Sequence, residues 1–168
     1  MINFAKVRQE AIIPTKRIED AGYDLFACFE SDWIVIHPNK MKLIPSGITS
    51  AFGVDNYFEI KERGSSGTKL LEVRAGVIDS GFRGEWLVCL SNGSDIPIII
   101  CKEDAIKKLN QHLEALEIIH FTIYPYEKAI AQAIFTPITN VRTVEISYED
   151  LKKIPSKRGD GMIGSSGK

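Results

Sequence analysis

The sequence has few cysteines and no pattern that would join them. Its 168 residues include three cysteines, Cys28, Cys89 and Cys101, without the C-x-x-C spacing of a zinc or redox motif. An odd, scattered set is not typical of a disulfide framework. We therefore expect buried thiols in a reducing compartment, and a cytoplasmic location.

Basic excess and long apolar runs are also missing. The formal net charge is −1 at pH 7, so no surplus of cations is available to hold a nucleic acid by counterion release. No apolar run approaches the roughly 20 residues of a transmembrane helix, and the first residues, MINFAKVRQE, lack the apolar core of a signal peptide. We predict a single domain that binds neither nucleic acid nor membrane.

Short apolar or alternating segments, separated by turn residues, fill most of the chain. This pattern predicts an all-β fold, either a jelly roll or a β-sandwich-like barrel. The predicted strands are residues 2–7, 33–36, 41–44, 48–52, 57–60, 86–90, 96–100, 118–124, 130–135 and 141–146.

One segment interrupts the strand pattern. Residues 104–117, DAIKKLNQHLEALE, predict an amphipathic helix with Asp104 as its N-cap, inserted at about 103–117. Its apolar positions are Ile106, Leu109, Leu113 and Leu116. This stripe either folds back on the β body or binds another protein. A short helical turn is expected at 148–153, and we divide the chain into a β domain, residues 1–154, and a flexible glycine-rich tail, residues 155–168.

The segment with the most information is residues 75–86, AGVIDSGFRGEW. An apolar pair leads into Asp79, a glycine-rich turn follows, and a second apolar strand begins at Trp86. Strand, turn and strand predict a hairpin. The turn presents a carboxylate and the Phe82 ring three residues apart, next to glycines that let a backbone approach a ligand.

The C-terminal segment, residues 158–168, reads RGDGMIGSSGK. Its glycines, hydroxyls and cations can wrap a phosphate chain, although an isolated Gly/Ser tail is also common as a plain flexible terminus. Together with the predicted hairpin, the segment favours a site for a phosphorylated ligand.

Five separated segments, in this order, resemble the five motifs of the trimeric dUTPases, enzymes that hydrolyse deoxyuridine triphosphate. They are residues 21–27 (AGYDLFA), 62–67 (ERGSSG), 75–86, 128–134 (KAIAQAI) and 158–167 (RGDGMIGSSG). The resemblance implies a jelly-roll homotrimer that converts dUTP to dUMP and pyrophosphate with Mg²⁺, by attack of water at the α-phosphorus. In this family one chain supplies the first, second and fourth motifs, a neighbour the third, and the remaining chain's tail closes the site.

The resemblance also implies roles for individual residues. Asp79 orients the attacking water, Asp24 holds Mg²⁺ through water, and Phe82, where the family usually has Tyr, packs on the deoxyribose. Substrate-binding roles fall on Arg63, Gly64, Ser65, Ser66, Gly67, Gly76, Val77, Ile78, Phe82, Gln132, Arg158, Ile163, Gly164, Ser165 and Ser166. These residue types suit a triphosphate, whose roughly four negative charges require cations, N–H donors and usually Mg²⁺.

Besides Phe82 in the third motif, the sequence departs from the family pattern in three other motifs. Gly64 follows Arg63 and leaves open whether Ser65 or Ser66 bridges the phosphates. Residues 127–129 are Glu-Lys-Ala in place of the usual Gly-Asp-Arg, and Ile163 replaces a phenylalanine that covers the uracil.

Two rival functions remain at this point. A dCTP deaminase of the same fold would carry a glutamate at the position of Asp79 and would lack the glycine-rich tail, so both features argue against it. A regulatory protein gated by nucleotide would contact a repressor-type partner through the helical insert, with or without hydrolysis.

Overall fold

The computed structural model describes residues 1–157 and residue 159. Strands dominate it, which confirms the all-β prediction. They are β1 Asn3–Lys6, β2 Gly22–Leu25, β3 Trp33–Ile36, β4 Met41–Pro45, β5 Ile48–Ala51, β6 Asn56–Lys61, β7 Leu71–Arg74, β8 Val77–Asp79, β9 Leu87–Asn92, β10 Ile98–Cys101, β11 Thr122–Pro125 and β12 Ala131–Pro137. The helices are α1 Gly64–Gly67, α2 Ile106–Ala115 and α3 Tyr148–Lys153, besides a 3₁₀ turn at Glu103–Ala105.

The chain forms two units, residues 1–138 and residues 139–168. The first holds all the strands given above. In the second, α3 begins after Ser147, whose hydroxyl accepts a hydrogen bond from the Asp150 backbone N–H at 3.1 Å, a normal N-cap. This helix confirms the prediction at 148–153. The predicted division at residue 154 stays a prediction.

Four small sheets build the first unit. Their strand orders are β1-β5, β4-β9-β7, β11-β10-β3 and β2-β12-β6-β8. The pairings are antiparallel except between β10 and β11. The four-stranded sheet positions the site described below.

Aromatic side chains form the centre of the main core. Phe58 on β6 and Trp86 are fully buried, and their ring centroids lie 5.0 Å apart in an edge-to-face contact. Phe4, Phe52 and Phe135 contact the same Phe58 ring. Contacts between aromatic rings stabilise a core beyond the contribution of the apolar surface that they bury.

The inserted helix packs onto the β body. Leu109 and Leu113 are buried in a second apolar cluster with Ile99 and Cys101 of β10. Of the two alternatives predicted for the apolar stripe, Leu109 and Leu113 follow the one in which it folds back on the β body. Leu116 stays 55% exposed. The predicted N-cap is wrong, because Asp104 lies inside the 3₁₀ turn and Ala105 precedes the first residue of α2.

Two strand predictions are wrong. Residues 77–90 do not form a hairpin, because β8 pairs with β6 whereas β9 pairs with β4 and β7. The turn between them carries the chain from one sheet to another. Residues 141–146 contain no strand, and their apolar side chains Val141 and Val144 are exposed. Apolar alternation forms a strand only where another strand provides hydrogen bonds.

The three cysteines are free and buried, as predicted. Burial raises the pKa of the Cys28 and Cys101 thiols, which disfavours the reactive thiolate. None of the described helices has both the length and the hydropathy needed to span a bilayer.

Candidate functional site: a polar cleft on the four-stranded sheet

The outward face of the four-stranded sheet carries residues from three of the predicted motifs. On β12, Gln132 lies opposite Asp24 of β2 on one side and opposite Lys61 of β6 on the other. Residues directly opposite in an antiparallel ladder project to the same face. The first and fourth motifs are therefore adjacent, and the second begins where β6 ends.

The second motif forms the one-turn helix α1. The Ser66 hydroxyl accepts a hydrogen bond from the Arg63 N–H at 3.1 Å and donates one to the Arg63 carbonyl at 3.0 Å. Ser66 is fully buried, whereas Ser65 is exposed. The turn therefore uses Ser66 to hold its own backbone and presents Ser65 outward.

These segments enclose a cleft of about 840 Å³. Its lining is mostly polar. The lining residues are Thr15, Lys16, Arg17, Glu19, Asp20, Ala21, Gly22, Asp24, Arg63, Gly64, Ser65 and Gln132. The structure thus brings together five of the predicted site residues, from motifs far apart in the sequence.

Arg63 spans the cleft and is held from two sides. Its guanidinium lies 3.1 Å from the Asp24 carboxylate and 3.5 Å from the Ala129 carbonyl. The Tyr124 hydroxyl donates to the same carbonyl at 2.7 Å. Burial raises the pKa of the Tyr124 phenol, and the neighbouring Arg63 and Ser65 side chains oppose that rise. The Ala129 carbonyl thus anchors Arg63. Position 129 itself is one where the dUTPases usually have an arginine.

The third motif lies elsewhere on the same sheet. Asp79 is opposite Tyr57 of β6, whereas Gln132 is opposite Lys61 at the other end of that strand. Asp79 and Gln132 are therefore about 13 Å apart along the strand direction and about 10 Å apart across two strand spacings. Val77 and Asp79 face outward and are exposed, while the Ile78 side chain lies in the core and leaves only its backbone available.

The turn after Asp79 is held by its own backbone and by Arg83. The Phe82 N–H donates to the Asp79 carbonyl at 3.1 Å, and the Arg83 guanidinium donates to the Ser80 and Phe82 carbonyls at 2.6 and 2.8 Å. The Phe82 ring is 43% exposed and folds over Gly84, since a Cβ there would lie 2.6 Å from the ring. Arg83 therefore has a structural role in the turn, and Phe82 remains partly exposed beside it.

Some predicted residues fall outside the cleft or outside the described chain. Gly67 ends α1 outside the lining of the cleft, next to the Glu62 side chain. Arg158, Ile163, Gly164, Ser165 and Ser166 lie outside the described residues.

The sequence analysis missed the loop that leads into β2, residues 15–20. It forms one wall of the cleft and contributes Lys16, Arg17, Glu19 and Asp20 to the lining. The adjacent cations and the acidic pair directly before the first motif were the available signal.

Asp24 is one of the cleft carboxylates that could hold a metal ion. No group of three or more histidine, cysteine or acidic side chains suited to a metal occurs in the described part of the chain. Mg²⁺ commonly binds proteins through one or two carboxylates, completing its shell with substrate phosphates and water. One carboxylate of this cleft, such as Asp24, fits that mode of binding.

We expect the two serines of α1 to respond differently to replacement by alanine. Ser66→Ala removes both side-chain bonds to Arg63 and should lower the free energy of unfolding by about 1–3 kcal/mol, since the part-buried Arg63 N–H loses its Ser66 acceptor. Ser65→Ala should leave stability within about 0.5 kcal/mol and weaken triphosphate binding. Denaturant unfolding and nucleotide titration separate these effects, and equal stability of the two variants would contradict the assignment.

This β fold, with three motifs meeting in a polar cleft that contains several cationic side chains, is that of a protein class that binds phosphorylated ligands. A family model for dUTPase matches residues 8–119, and the chain belongs to the dUTPase family. The deoxyuridine 5′-triphosphate nucleotidohydrolase of Nautilia profundicola is 31% identical over 173 residues, with 99% of each chain covered. That of Leptospira interrogans is 36% identical over 99 residues, which cover 56% of this chain and 68% of the relative.

Solved dUTPases share the fold, which confirms the jelly-roll prediction. The dUTPase of Staphylococcus bacteriophage 80alpha with dUpNHpp superimposes with a TM-score of 0.71 at 17% identity, covering 100% of this chain and 99% of that one. Phage dUTPases of this kind control transfer of virulence genes. The EIAV dUTPase gives a TM-score of 0.61 at 21% identity, covering 88% and 98%. A phage phi11 dUTPase is described as coordinating a structural Mg(II) ion.

Proposed function

We propose that this chain is a dUTP diphosphatase and that the cleft holds the triphosphate of its substrate. The observation that carries this proposal is the meeting of Asp24, Arg63, Ser65 and Gln132 in one cleft. Arg63 donates to phosphate oxygens, and the open backbone at Gly64 and Ser65 adds N–H donors without steric obstruction. Gln132 is held at the floor by donating to the Glu62 carbonyl at 2.9 Å.

The active enzyme is a homotrimer in which a neighbour completes each cleft. Support comes from the position of Asp79, which lies at the far end of β6 from the cleft of its own chain. Its exposed carboxylate is therefore available to another copy. Tail residues such as Arg158 and Ser165 close the site from a further copy, a role that rests on the sequence resemblance.

Asp79 acts as the general base in this scheme. Its carboxylate accepts a proton from a water molecule while the water oxygen bonds to the α-phosphorus. The bond from that phosphorus to the oxygen bridging the α- and β-phosphates breaks, and pyrophosphate leaves with the electron pair. The products are dUMP and pyrophosphate.

Binding of the triphosphate requires the Arg63–Asp24 ion pair to open. Arg63 turns to the phosphates, and Asp24 becomes available to a hydrated Mg²⁺, which when bound neutralises phosphate charge. Each residue thus loses its ion-pair partner and gains a phosphate or a hydrated metal ion in its place. The net electrostatic cost is small because the pair is only about two-thirds buried.

Selection for deoxyuridine comes from the third motif. The backbone of Gly76, Val77 and Ile78 pairs with the uracil edge, and the exposed ring of Phe82 packs on the sugar where a 2′-hydroxyl would clash. Stacking requires a ring and not a hydroxyl, so phenylalanine serves in place of tyrosine.

Incubation with each dNTP and with UTP, in Mg²⁺ buffer, tests this function. We expect pyrophosphate from dUTP far above that from dCTP, dTTP or UTP. Ammonia release from dCTP would instead identify a deaminase, and absence of hydrolysis with every nucleotide would refute the proposal.

A second role, contact with a regulatory protein, would use the outer face of α2. Its apolar side is occupied by the β body, so the surface left for a partner is polar and includes Lys107, Gln111 and Glu114. Charge reversal at Lys107 and Glu114 should abolish partner binding and spare hydrolysis. A cytoplasmic location also stays a proposal, supported by the three free thiols.

A further inference from the structure

The loop at residues 15–20 contributes four charged side chains to the cleft. Three cationic and three acidic side chains line it: Lys16, Arg17, Arg63, Glu19, Asp20 and Asp24. Two of these cations are already paired. Arg17 contacts both Asp20 carboxylate oxygens, at 2.9 and 3.0 Å, and Arg63 contacts Asp24 at 3.1 Å.

Lys16 differs from the other two cations. Its ammonium donates to the backbone carbonyls of Asp20, at 2.8 Å, and Arg17, at 3.4 Å. Among the described cations of the cleft, it is the one that forms no ion pair with a carboxylate. Carbonyl groups orient an ammonium without pairing it with a negative charge, so Lys16 is, of the described cations of the cleft, the one left to meet an anion.

The loop holds Lys16 in place before any ligand arrives. The Asp24 N–H donates to the Thr15 carbonyl at 2.9 Å, which ties the loop to β2. Arg17 and Asp20 close the loop through backbone as well as side-chain bonds. The Lys16 ammonium also lies 5.8 Å from the centre of the Tyr23 ring. A preordered side chain loses less conformational entropy when it binds.

We propose that Lys16 is a substrate-binding residue that contacts the outer phosphates of the nucleotide. This role rests on the proposed function. A triphosphate brings several negative charges into a cleft whose own charges balance, and Lys16 is the unpaired cation in place to meet them. The residue therefore favours triphosphates over monophosphates in binding.

Calorimetric titration of the full-length chain with dUpNHpp and with dUMP, in Mg²⁺ buffer, tests this role. Lys16→Met removes the ammonium and keeps an apolar stem beside Tyr23. Lys107→Met removes an exposed lysine of α2 outside the cleft and is the matched control. Lys16→Arg keeps the charge. Thermal unfolding of each variant verifies that it is folded.

The expected result is a Kd for dUpNHpp raised about ten-fold or more in Lys16→Met, the size of a lost charge-assisted hydrogen bond. Binding of dUMP should stay within about two-fold, and Lys107→Met and Lys16→Arg should retain most of the affinity. Unchanged dUpNHpp binding, an equal loss for dUMP, or an equal loss in Lys107→Met would overturn the role. A wild-type chain that binds neither ligand would refute the proposed function itself.

Discussion

Replacement of Asp79 by asparagine should lower kcat for dUTP hydrolysis by between about a hundred- and ten-thousand-fold, the usual contribution of a general base. Asparagine keeps the shape of the side chain and cannot accept the proton. The fold should be unaffected, because Asp79 is exposed and the turn depends on its backbone carbonyl. Binding of dUpNHpp should persist, so the loss should appear in kcat and not in Kd.

Asp95→Asn, at another exposed turn, is the matched control for this experiment. It should retain wild-type turnover. Activity of Asp79→Asn close to that of the wild type would remove Asp79 from the reaction.

The same variant also tests whether the site is shared between chains. Arg63→Met should be inactive for a different reason, loss of phosphate binding. If one chain supplies the cleft and another supplies Asp79, mixed assemblies of the two inactive variants contain intact sites, about a quarter of the total with random mixing. Regained activity after co-refolding is the expected result, and no recovery would place the whole site within a single chain.

Local patterns predicted most strands but not their partners. The segments at 33–36 and 48–52 became β3 and β5 with nearly the predicted bounds. The glycine-rich turn after Asp79 also formed, yet it joins two sheets and no hairpin results. Residue type and spacing determine local extension and turning, whereas pairing depends on contacts between segments distant in sequence.

The site shows the same division between local and distant information. Five residues named from the first, second and fourth motifs do meet in the cleft. Sequence could not distinguish Ser65 from Ser66, because their difference is one of burial. It also could not show that the loop at 15–20 folds over Asp24. That arrangement depends on the bond from the Asp24 N–H to the Thr15 carbonyl.

Gly76→Ala should both destabilise the fold and impair catalysis. A Cβ at this position would lie 2.3 Å from the Ile60 carbonyl oxygen, far inside van der Waals contact. The φ of Gly76 is not positive, so the position needs glycine for space and not for backbone freedom. The clash falls where the Ile60 N–H donates to the Gly76 carbonyl at 2.6 Å, and β8 must move away from β6 to relieve it.

We expect a loss of about 3 kcal/mol of unfolding free energy, at the upper end for overpacked sites, with a fall of about 2–4 °C in Tm per kcal/mol. Because β8 carries Asp79, kcat should fall as well, even where the protein remains folded. Gly53→Ala is the control, since a Cβ there meets nothing within 4 Å. If the two variants had the same Tm, the close approach of β8 to β6 would not be what fixes Asp79. The position of Asp79 would then have to depend on the turn held by Arg83.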